Sequence, residues 1–347
     1  MILNVYTVFD LALVALRLPL GVFLIAWTWR AWRGSSGEGR GGEAAARLEG
    51  RLYLSLMAAG LLFVLNLLAW PLLYAVLQSY IPQWPGVMCI YGVTRIGSGS
   101  EGPSRILPGM LLGLQIIKPL TVFLSGAWGW MYMASRGTET AAHQGRVALL
   151  VVMFGALTMV EATLEGAYLL TPKREQFAEA GCCTAPLEAE LRSGRFVPGA
   201  WRKTEADWTL ALFVVVHLLL ATLLACRARR PLNGLGPPWW MMLLLAAIAI
   251  PVGLAFLKEV ASPRILHLEY HHCLYDLFVR APESLVGAGM GAAGVFSLGW
   301  ARLVAGAESR TASRAAGAGR LTAGLLATGA LGYLGCVIHF TVALALV

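Results

Sequence analysis

The chain has 347 residues, of which 58% are hydrophobic and only 13% charged, with a mean hydropathy of +0.67. A soluble domain carries roughly 25% charged residues, so too few are present to cover a water-soluble globule of this size, and lipid is expected to solvate most of the surface. The net charge of +8, with 23 Arg against four Lys, raises nucleic acid as a partner. Because the basic residues sit in short stretches between apolar runs, they read instead as topology signals.

A membrane-crossing helix needs about 20 mostly apolar residues. Eight segments qualify: 7–29, 53–79, 109–134, 147–170, 208–226, 239–258, 285–306 and 321–347. They predict an all-α, polytopic transmembrane bundle read as a single membrane domain. Segments one to four and five to eight make two halves in number, but the loops between them do not match. The first run is read as a retained helix rather than a secretory signal. No positive charge precedes it, Arg17 interrupts it, and no small-residue cleavage site follows.

Loop charge sets the expected orientation. Loops 30–51, 135–146, 227–238 and 302–320 hold fourteen Lys/Arg and five Asp/Glu. Loops 80–108, 171–207 and 259–284 hold ten Lys/Arg and eleven Asp/Glu over more residues. The denser Lys/Arg set is expected to be cytoplasmic, with both termini outside. Stretches Arg33–Arg51 and 308–320 are rich in Gly, Ser, Glu and Ala and read as solvated linkers. The many Arg, Ala and Gly residues suggest a GC-rich bacterial genome, hence a bacterial plasma membrane.

The outer loops stop looking like lipid filler. They carry Cys89, Cys182, Cys183 and Cys273, together with His267, His271 and His272. Cys226 and Cys336 fall in helices. Unpaired thiols on an oxidising face tend to form disulfides or bind metal. Three readings use the same atoms. Two disulfides could staple the loops. A reactive disulfide, with Cys273 tuned by His271 or His272, could exchange electrons with a thiol or quinone. His271, His272 and Cys273 with Cys182 or Cys183 could offer ligands to Zn²⁺ or Cu⁺, at most two of the three consecutive residues reaching one ion. No Cys-x-x-Cys is present, since Asp276 stands where the second thiol would fall after Cys273.

Ionisable residues at membrane depth are costly and usually face a partner or water. Arg17, Lys118, Glu161, Glu165, His217 and His339 all fall inside predicted spans. Glu161 and Glu165 are four apart and share a helical face, as do Cys336 and His339, three apart. Arg17 or Lys118 is expected to pair with Glu161 or Glu165. Beyond pairing, the polar core is a candidate for a quinone headgroup, a proton path, an ion or a small solute. His217 and His339 are the one pair at similar depth that suits the two axial positions of a b-type haem.

Two weaker marks concern packing. The run Gly287–Gly294 is small enough for close helix approach. Trp84, Trp201, Trp208, Trp239 and Trp240 lie near segment ends, where an aromatic belt forms. The functional expectation is a thiol–disulfide or quinone-linked electron relay, with an extracytoplasmic redox partner. Its competitors are a metal-ion or small-solute permease and a non-catalytic subunit stapled into a larger membrane complex.

Overall fold

The computed structural model describes residues 2–35, 42–84, 87, 89–94, 96–97, 102–135, 141–173, 199–229, 237–268, 272–308 and 315–347. Among them every regular element is helical. Among the described residues eight helices are long and apolar enough to cross a bilayer. They are α1 (Val5–Ser35), α2 (Gly42–Tyr80), α3 (Leu107–Ser135), α4 (Ala141–Leu170), α5 (Gly199–Ala228), α6 (Trp239–Phe256), α7 (Ser284–Glu308) and α8 (Ala315–Ala345). The chain is a polytopic all-α membrane protein, as its apolar runs predict. In lipid a backbone must satisfy its own polar groups, and a helix does so within one segment.

Two stretches read as linkers are partly helical. α2 already begins at Gly42, within Arg33–Arg51, and α8 at Ala315, within 308–320. Ala, Glu and Arg are strong helix formers, so the helices extend beyond the apolar runs.

The chain divides into two compact units, Met1–Glu179 and Ala180–Val347, each holding four of the long helices. Within the first unit, α1 packs against α2 and α4, and α3 packs against α4. Within the second, α5 packs against α6 and α8, and α7 packs against α8. The neighbour pattern is the same in both. In each unit the second long helix is followed by a buried cysteine that directly precedes a short helix. These are Cys89 before Ile90–Thr94 and Cys273 before Leu274–Arg280. Cys89-Ile90-Tyr91 and Cys273-Leu274-Tyr275 are the sequence trace of that correspondence, which loop length alone conceals.

The units differ in what fills them. In the second, Phe213 and Phe256 stack with centroids 3.9 Å apart, and Phe340 meets both edge-on. α7 and α8 approach backbone to backbone. A Cβ on Gly332 would lie 2.7 Å from the Met290 carbonyl oxygen and 2.9 Å from the Gly294 nitrogen. Gly287, Gly291 and Gly294 face His339, Cys336 and Tyr333 across this seam. The glycine run thus serves close packing, as expected. The Trp residues divide: Trp208 and Trp240 are exposed, whereas Trp84 is buried edge-on against Tyr80.

In the first unit, Pro19, Pro71 and Pro119 lie inside α1, α2 and α3. Each removes a ladder hydrogen bond within five residues of Arg17, Asn66 or Lys118. α4 contains no proline and presents both glutamates from an unbroken helix.

Candidate functional site

The polar residues of the first unit converge. Arg17 from α1 donates through Nη1 to Glu161 Oε1 at 3.0 Å and to Asn66 Oδ1 at 3.2 Å. Its Nη2 donates to Glu165 Oε2. Lys118 from α3 places Nζ 3.0 Å from Glu161 Oε1 and 2.8 Å from Glu165 Oε1. Asn66 of α2 continues the network by donating through Nδ2 to Thr158 Oγ1 of α4 at 2.9 Å. All four helices of the unit therefore contribute.

Each glutamate meets both cations, and none of the four charged side chains is more than 2% exposed. Two positive and two negative charges sum to zero, the condition under which charges survive in a medium that cannot solvate them. An isolated charge at a helix centre costs about 2.5–3.5 kcal/mol on insertion scales. The network is not saturated. Glu161 Oε2 and Arg17 Nε are buried with no hydrogen-bond partner among the described residues.

Further polar residues lie between this quartet and the end of the unit where α1 begins. Asn4 Nδ2 donates to Ser79 Oγ at 2.7 Å, and Asn4 Oδ1 accepts from the Thr7 amide at 2.8 Å. Thr7 Oγ1 lies 3.2 Å from Tyr80 OH, both residues being fully buried. Asp10 follows one turn further along α1, also fully buried. Lys173 stands at the same end, with Nζ 5.5 Å from the Tyr80 ring centroid and 4.5 Å from that of Tyr168. It donates to the Tyr168 carbonyl at 2.7 Å. Burial pushes its ammonium pKa down to about 8. Cys89 lies in the segment that leaves this end of α2, and the Ile90–Thr94 helix packs on α2 and α3.

Sequence reasoning placed Arg17, Lys118, Glu161 and Glu165 together. It missed Asp10, Asn66 and Thr158. The signal for Asp10 was present: it stands seven residues, or two turns, from Arg17 on one face of α1. Asn66 and Thr158 are uncharged and carry no comparable mark.

His217 and His339 belong to the second unit. His217 places Nδ1 2.8 Å from the Phe213 carbonyl, and its ring meets Tyr333 and Gly253. His339 lies against Gly287 of α7, and its Nε2 is buried without a partner among the described residues. The two rings pack against different helices, α6 and α7.

Of the outer cluster, Cys182, Cys183 and His271 lie outside the described residues. Cys273 is buried, and its carbonyl accepts from Ser262 Oγ at 3.2 Å. α6 continues through a π-helical turn at Leu257–Ala261. That turn presents Glu259, whose Oε2 is 3.0 Å from His272 Nδ1, while the Lys258 carbonyl is 3.2 Å from the same nitrogen. His272 thus has one ring nitrogen fixed by a carboxylate. His267 contributes its backbone: at φ 52° it ends the Ser262–Ile265 helix, with its amide on the Arg264 carbonyl and the Leu268 amide on that of Pro263. This is a Schellman cap with histidine where glycine is usual. Among the described residues no disulfide joins two cysteines, and no group of three or more His, Cys, Asp and Glu side chains forms a metal site.

Fold and site together define a class: a multi-pass helical membrane protein with a buried, charge-neutral ionic centre. No protein-family model, characterised protein or solved structure matches the chain, so its own chemistry carries the functional reading.

Proposed function

We propose that this is a bacterial plasma-membrane protein that couples thiol–disulfide or quinone-linked electron transfer on its outer face to proton movement through the core of its first unit. Closing two thiols to a disulfide releases two electrons and two protons, and reducing a quinone to the quinol consumes the same number of each. A membrane protein performing this exchange needs thiols at one surface and a protonatable route inside the bilayer.

The observation that carries the reading lies within the first unit. The segment bearing Cys89 leaves the end of α2 at which Asn4, Thr7 and Tyr80 lie. The quartet of Arg17, Lys118, Glu161 and Glu165 lies deeper on the same helices. Ionisable groups inside a bilayer are rare, and they mark proton relays and solute paths. The redox residues would be Cys89, Cys182, Cys183 and Cys273, with an extracytoplasmic thiol protein as partner. His272, oriented by Glu259, would take or return the proton of a nearby thiol.

The test is thiol trapping on the full chain in liposomes, with and without a water-soluble quinone. Quinone should lower the number of alkylatable cysteines, and dithiol reductant should restore it. An unchanged count overturns the reading. Cysteines permanently oxidised and resistant to mild reductant would make the outer site a staple. Stoichiometric copper or zinc lost on Cys273→Ser would make it a metal-handling site.

A further inference from the structure

Asp10 is the charge that the quartet does not need. It is fully buried, and neither carboxylate oxygen has a hydrogen-bond partner among the described residues. It lies within electrostatic reach of Glu165 and Glu161 on α4, Lys118 on α3, Arg17 on its own helix and Tyr80 on α2. The two cations already balance the two glutamates. An ionised Asp10 would therefore add one negative charge that nothing compensates, in a place from which water is excluded. One proton removes that charge.

We infer that Asp10 is a proton-binding site that exchanges protons between the quartet and the end of the first unit where α1 begins. This extends the reading above by naming where the proton is held and from which end it arrives.

Placement supports a relay. From Asn4 to Arg17 is thirteen residues, about 20 Å along a helix. Thr7, Asp10 and Arg17 all fall on the buried face of α1 over that length. The Thr7 and Tyr80 hydroxyls, 3.2 Å apart, stand one turn toward the helix end, and Arg17 stands two turns deeper. Hydroxyl groups both donate and accept, so a Thr–Tyr pair can pass a proton along. A proton is favoured over a metal ion by coordination. Ca²⁺ takes six to eight oxygen ligands, and Mg²⁺ six in octahedral geometry. Here Asp10 offers two oxygens, and the two glutamates within its reach are already engaged by Arg17 and Lys118. A proton needs a single oxygen.

Infrared difference spectroscopy on the full-length protein in liposomes, with ¹³C-labelled aspartate, tests this directly. Acidification should produce an isotope-shifted carbonyl band of a protonated aspartic acid, and Asp10→Asn should abolish it. Asp10→Glu, which retains the acid should the amide fail to fold, should move the band from labelled aspartate to labelled glutamate. Thr7→Val with Tyr80→Phe should leave the band but slow its exchange with bulk protons. A band that survives in Asp10→Asn, or no band at any pH, overturns the inference, as does a band displaced by sodium in proportion to its concentration. Run with all cysteines alkylated, the measurement does not depend on thiol chemistry. A failed redox assay leaves it standing, and a missing band leaves the redox assay intact.

Discussion

Leu16 and Arg17 are consecutive in the chain and face opposite environments. Leu16 is 56% exposed toward the lipid side, while Arg17 is completely buried against Glu161 and Glu165. Val160 and Glu161 repeat the arrangement on α4, at 54% and 1%. A membrane protein of this kind is ordered from the inside by charge and from the outside by oil.

Arg17→Ala should be among the most damaging single substitutions. It strands Glu165 Oε2 without its guanidinium partner, and breaking a buried pair costs about 3–5 kcal/mol. Arg17→Leu combined with Glu165→Leu removes one charge of each sign and leaves Lys118 paired with Glu161. The double variant should therefore be more stable than the sum of the two single losses. Thermal unfolding in detergent of the four proteins of this cycle measures the coupling, and strictly additive losses would refute the pairing.

Gly332→Ala should cost about 1–3 kcal/mol, because the new methyl group meets the backbone of Met290 and Gly294 rather than a side chain that can move. Gly289→Ala is the control. It lies on α7 with open space around its Cβ position, and its effect should stay within about 0.5 kcal/mol. Helix propensity alone favours alanine over glycine at both positions, so equal losses at the two sites would refute the close α7–α8 approach as the reason for glycine at 332.

His267→Gly should be neutral or stabilising, by up to about 1 kcal/mol. The residue holds a left-handed conformation at φ 52°, which disfavours an L side chain by roughly 1–2 kcal/mol. Glycine gives part of this back through its larger entropy in the unfolded chain. A marked loss of stability would mean that the imidazole ring itself is needed.

Stability should rise with pH between about 8 and 10 through Lys173. Burial lowers its pKa in the folded protein to about 8 from an ordinary 10.5. Below pH 8 both states carry the charge, and the folded state bears the cost of burying it. Above pH 8 the folded lysine has lost its proton while the unfolded one retains it. The unfolded state then binds more protons, and stability increases with pH. Lys173→Met should flatten this part of the profile in unfolding experiments across the range.

The spans were legible because the lipid core imposes a length and a composition that no soluble helix must meet. Arg17, Lys118, Glu161 and Glu165 were legible because a charge inside such a span requires a partner. Asp10 stands only three residues into the predicted 7–29 span, where depth alone does not mark a carboxylate as buried. The equivalence of Cys89 and Cys273 escaped notice, because their loops differ in length while the packing order of the helices around them is the same.

The sequence by itself determined that this chain lives in a bilayer, where its helices run, and that its intramembrane charges must neutralise one another. Hydropathy and charge act locally and additively, so they can be read residue by residue. Only the tertiary structure decided that both cations share both glutamates, that Asp10 is left over, and that His217 and His339 lie against different helices. Those facts depend on which faces of separate helices meet, and that is settled by shape, as where glycines let α7 and α8 approach backbone to backbone.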